Sequence, residues 1–401
     1  MVARSPRAGG SDVFLPPRPR HRGREAWCAM EDIATQLCAV LFTEFRRYDQ
    51  RIRARQYVDG LLSADGRKSV ANIASAVGAP RDTRRLHHFV SGSRWEWTAL
   101  SRALTGFLET TGPASAWVLK PVSIRKTGEH SVGVGRHFSP DTRQLVHGQQ
   151  AYGMWFVSPR VTAPVGWRLR LTGRWRDEAV PDAGPPGAVA GLLDDVRRWG
   201  DPLRPALLDV RGDPEEERLV ARRLREGHPL VTRIGTGVRV AADRPAPGGR
   251  GRCVAPAHRV LDRALRLRPA RPVTGAGRPA TWFVTARVRL AGQGPDSGPL
   301  TALGVWHDPR RPPSQMWLTN VRGLSGPAFL NLTRLTAGVE QGWRTRGEAV
   351  GLRDFEGRSL EGWHRHMALA SCAYAISALR SVDAAGQSVY GEGPVVCGLS
   401  A

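Results

Sequence analysis

The stretch from Trp363 to Leu379 constrains the fold of this chain more than any other. Trp363, Met367, Ala370 and Tyr374 recur at spacings of three and four, Ile376 follows, and small residues fill the gaps. That spacing predicts an amphipathic helix whose apolar face packs closely against a partner. The longest apolar run, Met367 to Leu379, falls short of the roughly 20 residues a bilayer span needs, so it reads as a core helix. A chain of 401 residues can bury a sizeable core and is long enough for two or three domains.

Charge narrows the partners. The 59 Lys and Arg outnumber the 36 Asp and Glu, a formal net charge of +23. A field of that sign attracts polyanions, and nucleic acid is the commonest. A GC-rich genome would raise Arg, Gly and Pro together and stands as the compositional alternative. The five cysteines (Cys28, Cys38, Cys253, Cys372, Cys397) are dispersed, with no C-x-x-C and no zinc-ligand spacing. This fits a reducing compartment, not a disulfide framework. Residues 1–29 are basic and Pro-rich with no apolar core of a signal peptide, so a cytoplasmic, nucleoid-associated protein without membrane segments is expected. The same composition predicts a disordered tail over 1–29, a basic DNA-binding arm, or a start codon placed upstream of Met30.

From Glu31 to Leu108 the pattern is helical, giving a helical segment over 30–110. Lys68 to Val77 predicts a short helix closed by Gly78, and Ala79-Pro80 a turn. Asp82 is placed to cap a second helix carrying Arg84, Arg85, His87 and His88. Two such helices fit either a helix-turn-helix that lies in a major groove or an ordinary helical hairpin. Beyond it, Ala116 to His137 reads as strand, turn, strand, and Ala151 to Trp175 as a third strand with its exit. A helix from Val189 to Trp199 leads to the apolar strand Pro205 to Leu208, which ends on Asp209. Carboxylates at the carboxyl ends of strands in open α/β sheets often line sites. Glu215 to Glu226 predicts a charged helix and Leu230 to Ile234 a strand. Residues 236–325 show β-like runs, including Trp282–Leu290 and Gln315–Thr319, and the tail 386–401 reads as irregular.

Glu340, three residues before Trp343, would by itself be an unremarkable surface acid. It is followed, however, by Gly351-Leu352, Phe355-Glu356, Arg358-Ser359, Gly362-Trp363 and Arg365-His366. The series E-x-x-W, G-L-x-x-F-E-x-R-S, G-W-x-R-H resembles the C-terminal signature of the IS701-type DDE transposases. Lys68-Ser69-Val70, Ile73-Ala74 and Trp95-Glu96-Trp97 resemble that family's N-terminal pattern, and His130-Ser131-Val132-Gly133-Val134 its central one. The resemblance spans about residues 35 to 380. It implies an α/β fold, a ribonuclease-H-like mixed sheet over 111–235 with a β-rich insertion over 236–325. An all-α, helix-turn-helix-like domain over 30–110 would precede it, and C-terminal helices over 326–385 would complete it. It also implies Asp209 and Glu340 as catalytic, metal-binding carboxylates, with Mg²⁺ as cofactor and Mn²⁺ as a substitute. Double-stranded DNA is the expected partner, with a homodimer among the expected assemblies. Lys68, Arg84, Arg85, His87, Arg346, Arg358 and Arg365 are the expected DNA contacts.

The sequence departs from the family where chemistry is most exposed to change. The first catalytic Asp, which follows W-V-[IL] in the family, corresponds to Lys120 in Trp117-Val118-Leu119-Lys120. An ammonium ~4 Å from a divalent ion, at an effective dielectric of ~20, is repelled by roughly 8 kcal/mol. The family's basic residues flanking Glu340 correspond to Thr336 and Gly347. A degenerate site follows, in a DNA-binding protein that does not cut DNA; an active transposase and a recruited DNA-binding regulator are the alternatives. Asp213 is the nearest substitute for the lost carboxylate.

Overall fold

In a computed structural model of the chain, the described residues are 24–139, 142, 144–171, 175, 187–211, 213–242, 253–267, 273–275, 278–291 and 298–385. Of the basic tail expected to be disordered, residues 1–23 lie outside them, and Arg24 to Ala29 instead begin the first helix. The irregular tail 386–401 and Gly212 also lie outside.

The first part is helical: α1 (Arg24–Leu41), α2 (Tyr48–Ser63), α3 (Val70–Ala76), α4 (Thr83–Ser91) and α5 (Trp97–Thr111). The Ser69 hydroxyl accepts from the Asn72 amide at 3.2 Å and starts α3. Gly78, at φ +69°, ends it, a conformation open to glycine at little steric cost. Asp82 precedes α4 but does not cap it with its side chain. Its carboxylate is taken by Arg53 at 2.7 Å and Arg85 at 2.9 Å, because a guanidinium is a stronger partner for a carboxylate than a neutral amide. Leu86, Phe89 and Val90 of α4 are buried, which leaves Arg84, Arg85, His87 and His88 facing solvent.

The sheet is built from β1 (Ala116–Arg125), β2 (Val134–Ser139), β3 (Gln144–Val157), β4 (Thr162–Leu169), β5 (Ala206–Leu208) and β6 (Leu230–Arg233). β1 runs antiparallel to β3 and parallel to β5, and β5 parallel to β6. The far edge of β3 is shared by β2 over residues 144–149 and by β4 over 151–157. An antiparallel group joined to parallel strands, with α6 (Ala188–Trp199) and α7 (Pro214–Arg225) as crossovers, is a ribonuclease-H-like mixed α/β sheet. Two strand readings are corrected. The second strand of the stretch Ala116 to His137 begins only at Val134 and pairs with β3; Gly133, at φ +71°, makes the bend. Ala151 to Trp175 holds two strands, since the turn at Ser158–Val161 reverses the chain.

The segment after β6 adds β7 (Arg239–Ala242), β8 (Val254–Pro256), helix α8 (Ala257–Leu267), β9 (Val273–Gly275), β10 (Arg278–Leu290), β11 (Leu300–Trp306) and β12 (Gln315–Thr319). α8 was not expected in a stretch read as β runs. β12 pairs with β6, so these strands prolong the same sheet and share its core.

α9 (Gly326–Arg344) and the short α10 (Arg346–Ala349) lead to α11 (Leu360–Ala385). The expected apolar face of α11 is buried, with Trp363, Met367, Ala370, Tyr374 and Ile376 all at 1% exposure or less. So are its other faces from Gly362 to Ile376, because α11 lies between β4 and the helices α1, α2, α4 and α5. A helix wrapped on all sides must satisfy its own polar groups. His366 does so through the Tyr57 hydroxyl at 2.9 Å and the Gly351 carbonyl at 2.9 Å. Burial holds this imidazole at a pKa of about 4, so it is neutral at physiological pH.

Candidate active site

Lys120 lies within β1, opposite Gly153 of β3. It is one residue past the Leu119–Leu208 pair that joins β1 to β5, and Asp209 is likewise one residue past it. Arg233 follows Thr232, the partner of Leu208 on β6, and is itself paired with Trp317 of β12. The register therefore sets Lys120, Asp209, Arg233 and Trp317 in a row across four strands. α9 crosses β1 and β5 and delivers Glu340 to this row.

The row is closed by ion pairs. The Lys120 ammonium, 8% exposed, donates to Glu340 Oε2. Arg344, one helical turn on, brings its Nε to 2.7 Å from Glu340 Oε1. Asp209 receives a two-pronged contact from Arg211 at 2.7 and 2.8 Å, and a third from Arg233 at 3.1 Å. Burial alone would raise both carboxyls. The Arg211 and Arg233 guanidiniums outweigh it at Asp209, and Lys120 and Arg344 outweigh it at Glu340, so both sit below the usual carboxylate range. Each carboxylate thus meets two cations, Lys120 and Arg344 at Glu340 and Arg211 and Arg233 at Asp209, and the charge at each is positive.

This donor set does not fit a divalent cation. Its carboxylate oxygens are occupied by guanidinium and ammonium groups, and an ammonium stands at the first expected ligand position. Among the described residues no three His, Cys, Asp or Glu side chains cluster as a metal site. Asp213, the candidate substitute, is committed elsewhere. It is buried, accepts from Tyr152 at 3.0 Å and Arg170 at 3.0 Å, and caps α7 through the Glu216 amide.

The expected DNA contacts divide by burial. Arg84, Arg85, His87 and Arg358 are exposed. Arg346 is half-buried over the Tyr374 ring and bonds Ser377 and Ser381. Lys68 and Arg365 are corrections. Lys68 is 6% exposed and donates to the Ala64 carbonyl. Arg365 is 8% exposed and donates to the carbonyls of Trp95 and Val90 at 3.3 Å. Both tie backbone together inside the protein. Gly347 is buried as well; a Cβ there would meet Leu352 and Trp343 at 3.3 and 3.4 Å, so the position accommodates packing in place of a long basic side chain.

The sequence reading did not anticipate Arg211, Arg233 or Arg344. Arg344 was accessible as an i, i+4 partner of Glu340, and Arg211 as a neighbour of Asp209. Arg233 joins only through the parallel register of β5 and β6, which leaves no local signal.

A further buried carboxylate, Glu216 on α7, faces the Val189 amide at 3.4 Å. Burial, then Asp213 and Glu215, raise its pKa from 4.5 to about 7. A raised carboxyl pKa favours the folded state most below pH 4.5, and the contribution is lost as pH rises to about 7. Glu216→Gln is therefore expected to lose less stability than wild type between about pH 5 and about pH 8 in urea unfolding. Parallel profiles would refute the assignment.

Residues 40–284, more than half of the chain, match the family described as DDE superfamily endonuclease. No curated protein matches the sequence. Among solved structures, the piggyBac transposase synaptic complex with hairpin DNA, seen by cryo-EM, is similar at 11% identity and a TM-score of 0.41. That likeness covers 91% of this chain and 77% of the other, and at this level it carries no weight for function. No described helix is long and apolar enough to cross a membrane. On the family match over residues 40–284, the chain belongs to the DDE superfamily endonucleases.

Proposed function

We propose that this protein is a degenerate, IS701-type transposase relative that binds duplex DNA without cleaving or joining strands. The observation that carries this reading is the Lys120–Glu340 ion pair. On this reading the pair stands for the family's first and third carboxylates, with the charge on one of them reversed. Guanidinium groups on Asp209 act in the same direction. A positive site of this kind still attracts phosphate, so loss of cleavage and retention of DNA binding are compatible.

The net charge of +23 supports binding through counterion release, for which log affinity falls linearly with log salt. The exposed residues Arg84, Arg85 and His87 on α4 are the proposed phosphate and groove contacts, and Arg358 a further phosphate contact. Fluorescence anisotropy on a labelled duplex across a salt series should give a steep negative slope. Replacing Arg84 and Arg85 together by Gln should reduce that slope by about 2. Unchanged affinity and slope would remove α4 from the interface. Incubating the protein with DNA and Mg²⁺ or Mn²⁺ should leave the strands intact, and divalent-dependent cuts would favour an active transposase instead.

A further inference from the structure

The segment after β6 is strongly basic. Between Asp243 and Asp296 lie eleven Arg and a single acid, Asp262, so this stretch carries +10 of the chain's +23. Its helix α8 is anchored by Ala257 and Leu261, both buried. Leu261 packs at Gly304 of β11, where an added Cβ would come within 3.3 Å of it. Gly304 pairs with Met316, the residue before Trp317, so α8 covers the sheet face opposite the row of Lys120, Asp209, Arg233 and Trp317. It packs on β7, β10 and β11, which lie beyond the four strands that carry that row.

The outer face of α8 presents Arg259, Arg263 and Arg266, at i, i+4 and i+7. All three are exposed, and none forms an ion pair with another described residue. Like charges at this spacing repel, and Arg259, in the first turn, also opposes the helix dipole. Asp262, half-buried beside them, is one anion to three cations. α7 provides the contrast. Its Arg218, Arg222 and Arg225 repeat the spacing and are exposed, but Glu215, Glu217 and Glu226 lie on the same helix and at its end. Arg222 meets Glu226 at 3.7 Å, and Arg225 donates to the Ala221 carbonyl at 3.3 Å. α7 balances its own charge and α8 does not, so α8 is left to draw an anion from outside the chain.

We propose that the Arg259, Arg263 and Arg266 face of α8 is a second, sequence-independent contact for the phosphate backbone of duplex DNA, separate from α4 and from the row at Asp209 and Glu340. The three arginines span about 10 Å of helix, and a DNA strand offers a phosphate every ~3.4 Å along its axis, about three over that length. Guanidinium contacts to phosphate fix position and carry no sequence information. A lipid surface is the other extended polyanion. It would need apolar side chains beside the arginines, and of those on α8 only Leu267 is exposed. The inference rests on the duplex-binding reading above and extends it by a second surface.

The test measures the full-length protein by anisotropy on two blunt duplexes of unrelated sequence across a salt series, with sedimentation on phosphatidylserine vesicles alongside. Replacing Arg259, Arg263 and Arg266 by Gln should reduce the salt slope by about 3, and equally on both duplexes. The same replacement of Arg218, Arg222 and Arg225 removes as much charge and should change the slope by less than about 1. All six side chains are exposed, so neither variant disturbs the core. Equal losses in the two variants would mean a diffuse field of charge in place of a contact at α8, and would overturn the proposal. An unchanged DNA slope in the α8 variant, with or without loss of vesicle binding, would overturn it too, while leaving the duplex-binding function in place. A wild-type protein that binds neither duplex would overturn both, so the two readings fail distinguishably.

Discussion

Lys120→Asp is expected to bind Mn²⁺ at least about a hundredfold more tightly than the wild-type protein in calorimetric titration. The substitution removes a cation from the Glu340 carboxylate and puts an anion in its place. Each unit charge ~4 Å from a divalent ion is worth roughly 8 kcal/mol at an effective dielectric of ~20. Even a third of that for the combined change gives a hundredfold. Arg211, Arg233 and Arg344 remain in the variant and continue to compete for Asp209 and Glu340, so the gain should be well below the full Coulomb figure. Without metal the variant should also be less stable than wild type, because it sets a second carboxylate against a half-buried Glu340. Equal, tight Mn²⁺ binding by both proteins would show that other ligands have replaced the first carboxylate. The degenerate reading would then give way to an active enzyme.

Arg365→Ala should lower the unfolding free energy by about 3 kcal/mol in urea titration, because it removes charge-assisted hydrogen bonds from buried carbonyls. Those carbonyls include Val90 and Ser91, which end α4, where unpaired helical C=O groups concentrate negative charge. The guanidinium also lies 5.9 Å from the centre of the Trp95 ring. One buried arginine on α11 thus fixes the helix that carries Arg84 and Arg85 to the body of the protein. A variant with wild-type stability but a DNA salt slope reduced by about 1 would restore Arg365 as a phosphate contact.

Much of this architecture was legible because its causes are local. The spacing of Trp363, Met367, Ala370 and Tyr374 specified a core helix, and Gln315–Thr319 was read to the residue as a strand. The apolar run ending at Asp209 placed that carboxylate at a strand end, and Leu119-Lys120 put a lysine where the resemblance expects an acid. Other features depend on which surfaces meet. Nothing within α11 distinguishes a helix buried on one side from one buried on every side; that depends on α1, α2, α4 and α5 closing over it. For the same reason Lys68 and Arg365 read as surface cations in the sequence, while the fold uses them against the carbonyls of Ala64 and Val90.

The chain alone put a lysine at the position where the resemblance expects a carboxylate, since identity is written in the sequence. Only the tertiary structure decided what the lysine does. β1 and α9 are separated by more than 200 residues, and the 220-residue interval between Lys120 and Glu340 is closed by packing of the helix across the sheet. Arg233 reaches Asp209 in the same way, through strand register. Charge–charge energies depend on distance and solvent exclusion, and neither exists until the chain has folded.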